Sequence, residues 1–339
     1  MNTRETTWFT QLTGCAESSP EQVRAELRVT GPYLVSLRTG KRWRYGSLSL
    51  PTVADLRAQV KRSEIGDLPL ELSEYVGDVQ KLHLDKANEN ATFQVASQFN
   101  LLEMISPEVS PERGIGIYEM DRTQGPACAI ACGAGTIYRN YFVPIETELG
   151  QSRDRQLDCL DEIGRYFRNA ERGLWNMRNG YMLPTSEGLD LIASELQGLD
   201  ASAVDRIRSR LKIGIQSNTQ VTLNESQHLV TQIYCSALPV AYTDLAEAAW
   251  EPLARIILEG AYEATFWSAL MQYQETGNRN LYLTLLGGGA FGNRLEWIID
   301  AIDRSLQLFL RSGLRVKIVS YGRSRAEVRR LVDKYASRD

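Results

Sequence analysis

Histidine is the scarcest titratable residue of this chain, with only His83 and His228 among 339 residues. Two histidines do not make a multi-histidine metal site, so we expect no bound metal and no other cofactor. Basic residues are not in excess, because 38 lysines and arginines stand against 42 acidic residues, for a net charge of −4. This balance argues against a surface dedicated to nucleic acid or to an anionic membrane. No apolar run approaches the length of a membrane span.

Cysteine is sparse as well, and its five positions are irregularly spaced along a long chain. Such an odd number predicts reduced thiols rather than a disulfide framework. Residues 1–11 are polar and lack the apolar segment of a secretory signal, so we expect a cytoplasmic protein. Cys128 and Cys132 lie four residues apart in a stretch of small residues, which favours packing over metal binding or redox chemistry. The five are Cys15, Cys128, Cys132, Cys159 and Cys235.

Strands and helices alternate most clearly in the C-terminal third. Strand-like runs at 229–234, 281–286 and 316–321 are each followed by a helical pattern. Such β-α alternation predicts a parallel sheet covered by helices on both faces. We therefore predict a three-layer α/β/α fold with a mixed, mainly parallel sheet. Ligands of such sheets bind outside the carboxyl ends of the strands.

The rest of the chain has no repeat or linker that marks a boundary. We predict an N-terminal α+β appendage over residues 1–80 and an α/β domain over 81–339, with an insertion at about 150–215. The α/β domain would begin with a strand at 91–99, a long loop at 106–125 and a helix of small residues at 126–142. Asn179-Gly180 predicts a hairpin turn inside the insertion.

The run 281–286 ends in a glycine-rich stretch that precedes a helix. Glycines allow a close approach to a ligand, and successive N–H groups near a helix N-terminus form a site for an anion such as a pyrophosphate. The alternative is a tight turn that needs glycine only for packing, but four glycines in six residues exceed that need. The stretch lacks the spacing of a Walker or a Rossmann loop. Its residues are Gly287, Gly288, Gly289, Ala290, Phe291, Gly292 and Asn293.

The order Gly289-Ala290-Phe291-Gly292 resembles the second phosphate loop of macrodomains, which bind ADP-ribose. The resemblance implies that Phe291 packs against the distal ribose. The stretch "FQVASQFNLLEM" (93–104) is similar to the microbial poly(ADP-ribose) glycohydrolase branch, which implies that Asn100 contacts the same ribose. Gln124 then matches the glutamine of that branch's Gln-Glu-Glu motif. Gly125 and Pro126 stand where the two glutamates belong, so the family's acid is absent there.

Three charged residues of the preceding loop are candidates for the missing chemistry. Glu119 or Asp121 could serve as the acid or base, although acidic loop residues are usually solvated. Arg122 could hold a phosphate through two hydrogen bonds, or it could be a surface arginine. His228 and Cys235 do not form a nucleophilic pair, because seven residues separate them along one predicted strand.

Three hypotheses follow for the function. The protein binds ADP-ribose or a related nucleotide diphosphate, free or attached to a macromolecule, and hydrolyses an ADP-ribosyl bond. Alternatively, it is a reader module that binds the same ligand without catalysis. The third alternative is an interaction protein in which the glycine loop holds no ligand.

Overall fold

The computed structural model describes residues 6–60 and 67–336. Short 3₁₀ turns accompany the main elements, notably at Gly116–Met120. The strands are β1 Leu27–Thr30, β2 Tyr33–Ser36, β3 Arg42–Arg44, β4 Ser47–Ser49, β5 Glu71–Val76, β6 Thr92–Ala96, β7 Pro144–Ile145, β8 Glu148–Leu149, β9 Trp175–Arg178, β10 Tyr181–Pro184, β11 Gly214–Gln220, β12 Leu229–Cys235, β13 Asn280–Leu283 and β14 Arg315–Ser320. The helices are α1 Trp8–Thr13, α2 Pro20–Glu26, α3 Val53–Gln59, α4 Val79–Leu84, α5 Gln124–Ala131, α6 Gly133–Tyr141, α7 Asp161–Tyr166, α8 Asn169–Arg172, α9 Ser186–Gln197, α10 Ala201–Arg208, α11 Glu247–Thr276, α12 Leu295–Leu308 and α13 Ala326–Ala336.

The main sheet has seven strands within the described residues, in the order β4-β11-β12-β6-β13-β14-β5. The five strands from β12 to β5 run parallel, and β11 pairs antiparallel with both β12 and β4. Helix α11 packs against β6, β12 and β13 on one face, while α5 packs on β6 and α6 on β11. The predicted three-layer fold with a mixed, mainly parallel sheet is confirmed.

Helix α11 forms the centre of one helical layer. Eighteen of its 30 residues are buried, including every residue from Gly260 to Leu270, as expected for a helix whose middle is surrounded by other elements. Pro252 is the sixth residue of the helix, and a proline inside a helical pattern predicts a kink or a break into two helices. The helix continues through Pro252 to Thr276, so this proline does not divide it into two helices.

A buried ion network joins α11 to its neighbours. The carboxylate of Glu263 is 2% exposed and accepts hydrogen bonds from Arg57 of α3 at 2.6 Å and from Arg304 of α12 at 2.8 Å. Asp205 of α10 completes the network by pairing with Arg57 at 2.7 Å. The network therefore links four helices, α3, α10, α11 and α12, with the buried Glu263 carboxylate at its centre.

The first 50 residues contribute to a second apolar cluster on the opposite face. Trp8, Phe9 and Trp43 pack there with Leu102 and Tyr118. Two strands from the predicted N-terminal appendage also lie in the main sheet, since β4 and β5 form its two edges. The appendage and the sheet thus share residues.

The segment between β8 and β11 packs on the outer side of the helical layer, where its helices α9 and α10 contact α11. It contains the hairpin β9-β10, whose turn has Asn179 and Gly180 in the left-handed region, as predicted. The predicted small-residue helix is instead two helices, α5 and α6, because the backbone turns at Cys132 (φ −115°, ψ 57°). Among the described residues, no helix has both the length and the apolarity to cross a membrane.

Candidate functional site

A cleft opens at the carboxyl ends of β6 and β13. The two strands pair only through Leu281 with Thr92 and Tyr282 with Phe93, and they separate beyond that point. The walls of the cleft come from residues 96–98, 103–105, 121, 123–125, 284–287 and 289–291, together with Tyr181, Ala237 and Tyr242. This is the place where parallel α/β sheets bind ligands.

Gln124 forms hydrogen bonds with the backbone groups of β6 that are left unpaired where β6 separates from β13. Its Oε1 accepts a hydrogen bond of 3.0 Å from the Ala96 N–H, and its Nε2 donates one of 2.8 Å to the Gln94 carbonyl. The side-chain amide thus replaces a missing strand at this point. Gln124 also lines the cleft, but the contacts that explain its position are structural ones.

The glycine loop forms the wall opposite Gln124. Its own turns use the N–H groups of Gly288, Gly292 and Asn293. In the part of the chain from 6 to 60 and from 67 to 336, no acceptor contacts the N–H groups of Gly289, Ala290 or Phe291. Three successive backbone donors therefore stay available at the cleft, which is the arrangement that binds oxyanions.

The positions of this loop differ in whether the fold requires glycine there. Gly287 and Gly292 adopt positive φ values of 74° and 72°, and a Cβ at either position would come within 3.0 Å of Ala237 or Ala241. A Cβ at Gly289 would meet no atom within 4 Å. The fold therefore requires glycine at 287 and 292 but leaves open space beside 289, as a ligand-facing position would.

Phe291 lies at the mouth of the cleft among other aromatic side chains. Its ring centroid is 5.4 Å from that of Tyr181 and 5.5 Å from that of Tyr242. Tyr181 belongs to the β9-β10 hairpin, and Tyr242 follows β12. The cleft volume is about 150 Å³, below the roughly 300–1,000 Å³ of small-molecule sites. A whole nucleotide diphosphate would therefore extend over the exposed loop or displace one of these rings.

Asn100 and Asn293 do not lie where the predicted ligand contacts would require them to be. Asn100 is fully buried; its Oδ1 accepts from the Leu102 N–H at 3.0 Å and its Nδ2 donates to Gln156 at 2.8 Å. Asn293 is also buried and donates through Nδ2 to the Leu238 carbonyl. Neither side chain lines the cleft. Both stabilise loops around it, so the ribose-contact role implied for Asn100 does not fit its geometry.

The three charged candidates of the 119–122 segment separate in space. Glu119 points away from the cleft, because its Oε2 accepts the Trp8 N–H of α1 at 2.9 Å. Arg122 is exposed and is not part of the cleft wall. Asp121 does line the cleft, and its Oδ1 accepts from the Thr123 N–H at 2.8 Å. Of the predicted acids, only Asp121 can therefore face a ligand.

Glu103 is the carboxyl group that the sequence reasoning missed. Its side chain lines the cleft and is 5% exposed. Among the described residues its Oε1 has no hydrogen-bond partner, although it is fully buried. A Cβ on Gly125 would come within 3.0 Å of the Glu103 Oε2. The carboxyl group therefore occupies the space that a side chain at position 125 would need.

The surroundings of Glu103 favour its protonated form. Burial raises the pKa of its carboxyl well above the ordinary value; Arg139 lowers it, and Asp121 raises it further. The positive N-terminus of α5 favours the ionised carboxylate, which lowers the pKa. This stabilisation is only about 0.3–1 kcal/mol, whereas full burial can raise a carboxyl pKa by several units. Arg139 is held by the Leu101 carbonyl and by Gln216, which limits its effect on Glu103.

The remaining reactive side chains are buried and separate. Cys128 and Cys132 are free thiols whose pKa burial raises, so neither is a ready nucleophile. His83 stacks on Phe93, and burial lowers its pKa to about 4. Among the described residues, no three His, Cys, Asp or Glu side chains cluster in a way that could hold a metal ion.

A larger groove of about 760 Å³ lies between the N-terminal hairpin and the turn after β11. It includes the basic side chains of Lys41 and Arg42, but Lys41 pairs with Glu225 and Arg42 lies over the Tyr33 ring. This groove lies away from the carboxyl ends of the parallel strands. The smaller cleft is the better candidate because it combines open backbone donors with a buried acid.

Comparison with solved structures finds poly(ADP-ribose) glycohydrolases. The chain is similar to the Deinococcus radiodurans enzyme in complex with ADP-ribose, with a TM-score of 0.47 and 9% identity over 86% of this chain and 95% of that one. It is also similar to the Thermomonospora curvata enzyme, with a TM-score of 0.44 and 11% identity over 93% of this chain and 95% of that one. No protein-family model and no curated protein matches the chain.

Proposed function

We propose that this protein binds ADP-ribose, or a closely related nucleotide diphosphate, in the cleft between β6 and β13, and that it acts there on an ADP-ribosyl bond. The observation that carries the proposal is the row of open N–H groups at Gly289, Ala290 and Phe291 beyond a buried parallel strand. A diphosphate has the charge and the spaced oxygens to accept from several such donors at once.

The other walls suit the rest of such a ligand. Helix α5 begins at the cleft, and its positive end favours an anion nearby. Phe291 and Tyr242 offer apolar ring faces against which a ribose can pack. Asp121 and Glu103 line the same cleft as the glycine loop, so they can face a ribose that is attached to the diphosphate.

Isothermal titration calorimetry with ADP-ribose, ADP and AMP tests the proposal. We expect binding in the micromolar range for ADP-ribose and progressively weaker binding for ADP and AMP, because AMP lacks the diphosphate. Gly289→Glu should weaken ADP-ribose binding at least tenfold, since the open space beside Gly289 admits a side chain whose charge repels the ligand.

Gly198→Glu is the matched control. Gly198 is exposed at the end of α9, and its nearest contact to a Cβ is the Glu195 carbonyl at 3.9 Å. The same charge is therefore added far from the cleft and without a clash. Absence of heat and of a thermal shift at millimolar ADP-ribose would rule the proposal out, as would equal weakening by both substitutions.

A further inference from the structure

Glu103 is a buried acid whose carboxyl oxygen Oε1 makes no hydrogen bond within the described residues. Its backbone N–H donates to the Tyr118 hydroxyl at 2.9 Å, which fixes the backbone beside the cleft. Its carboxyl group, by contrast, has a fully buried Oε1 without a partner in the described part of the chain. Buried carboxyl oxygens are normally hydrogen-bonded, so an unpartnered one on a side chain that lines a cleft points to a partner supplied by a ligand.

The position of the carboxyl group is also specific. It fills the space next to Gly125, in the first turn of α5, where a Cβ could not be accommodated. A side chain from the 97–105 loop thus brings a carboxyl group to the start of α5, although positions 125 and 126 carry glycine and proline. The acid reaches the cleft from a different part of the chain.

We propose that Glu103 is the general acid for hydrolysis of an ADP-ribosyl bond in this cleft. This inference rests on the proposed function. The bond between the distal ribose C1 and the leaving oxygen breaks, and its electron pair stays with that oxygen, which takes the Glu103 proton. The oxygen of a water molecule forms the new bond to C1. The surplus proton of that water passes to the Glu103 carboxylate and restores the acid.

The surrounding charges agree with this role. Burial raises the pKa of the Glu103 carboxyl well above its ordinary value, and the nearby Asp121 raises it further. A general acid must hold its proton at the working pH and lie within reach of the leaving group. Asp121, on the same wall, is then available to orient the water.

The test compares wild type, Glu103→Gln and Glu119→Gln in two assays. Calorimetry measures ADP-ribose affinity, and product analysis measures ADP-ribose release from poly(ADP-ribose) and from mono-ADP-ribosylated protein. We expect Glu103→Gln to bind ADP-ribose within about threefold of wild type and to lose at least 100-fold in release, the range of general-acid catalysis. Glu119→Gln should retain both, because its carboxyl group contacts Trp8 outside the cleft.

Glu103→Asp provides the second variant, should the glutamine disturb folding. It keeps an acid on a shorter side chain, so it should retain part of the release and change the alkaline limb of the rate–pH profile. Full release by Glu103→Gln would overturn the inference. Wild type that binds ADP-ribose but releases none from either substrate would also overturn it, while leaving the proposed binding function intact. Wild type that fails to bind would reject both.

Discussion

The Oε2 atom of Glu119 lies 2.9 Å from the backbone nitrogen of Trp8 and accepts its hydrogen bond. Trp8 begins α1, so this carboxylate satisfies one of the donors that the first turn of a helix leaves open. The contact connects the N-terminal segment to the loop that leads into α5. Glu119, which the sequence suggests as a catalytic acid, therefore has a structural role: it links α1 to the loop before α5.

Glu119→Ala should lower the free energy of unfolding by about 1 kcal/mol, the typical value of a lost helix-cap contact. ADP-ribose affinity per folded molecule should stay unchanged, since the side chain is outside the cleft. Urea unfolding and calorimetry measure the two quantities. A large loss of affinity with unchanged stability would show that this carboxylate reaches the ligand after all.

Gln124→Leu should destabilise the protein by about 2–4 kcal/mol. The substitution leaves the Ala96 N–H and the Gln94 carbonyl without partners, and each buried unsatisfied group costs about 1–3 kcal/mol. The midpoint of urea unfolding is the measurement. Gln197→Leu, at an exposed position of α9, serves as the control and should change stability by less than about 0.5 kcal/mol.

Glu103 should make stability fall as the pH rises. Its pKa in the folded protein is raised well above the ordinary value of 4.5, so its contribution is fully present below about 4.5 and is lost as the pH rises through the folded pKa. Glu103→Gln has no such proton to lose. Urea midpoints of the two proteins should therefore diverge in favour of the variant as the pH rises above 4.5. A constant difference across this range would contradict a raised pKa.

Glu263 should show the opposite dependence. Burial raises the pKa of this carboxyl, but hydrogen bonds from Arg57 and Arg304 outweigh it, and the net pKa lies below the ordinary value. Its contribution is present above about 4.5 and is lost as the pH falls through the folded pKa. Glu263→Gln should cost about 3 kcal/mol at neutral pH, as expected for one partner removed from a buried pair.

Glu251→Gln is the control on the same helix. Glu251 pairs with Arg255 one turn further along α11 in a more exposed setting, where such pairs contribute about 0.3–0.5 kcal/mol. Guanidinium would mask both effects by screening charge, so urea is the denaturant to use. Equal costs for the two substitutions would show that burial of Glu263 adds nothing to the network.

The regular patterns of the sequence predicted the fold well because they report local structure. Alternating strands and helices after residue 228 gave the parallel sheet, and Asn179-Gly180 gave the hairpin turn. The glycine loop was placed correctly between the end of a buried strand and a helix, α12, which begins at Leu295. These features depend on residues close together in the chain.

Local sequence patterns could not predict which acidic residue lines the cleft. Whether Glu103, Glu119 or Asp121 faces the ligand depends on the path of the chain between β6 and α5, and no local pattern specifies it. One signal was present: Glu103 is a single charged residue in the apolar stretch 101–105, next to a strand end. A buried acid is normally paired, so an acid in such a stretch is a candidate for a site when no basic partner is evident.

Position 125 is closed to every side chain in this fold. A Cβ there would collide with the Ala96 carbonyl of β6 as well as with Glu103, and the carbonyl cannot move without shifting the strand. With this backbone, a single substitution therefore cannot place an acid at 125. Moving the carboxyl group from 103 to 125 by protein engineering would require a shift of β6 as well as the exchange of two side chains.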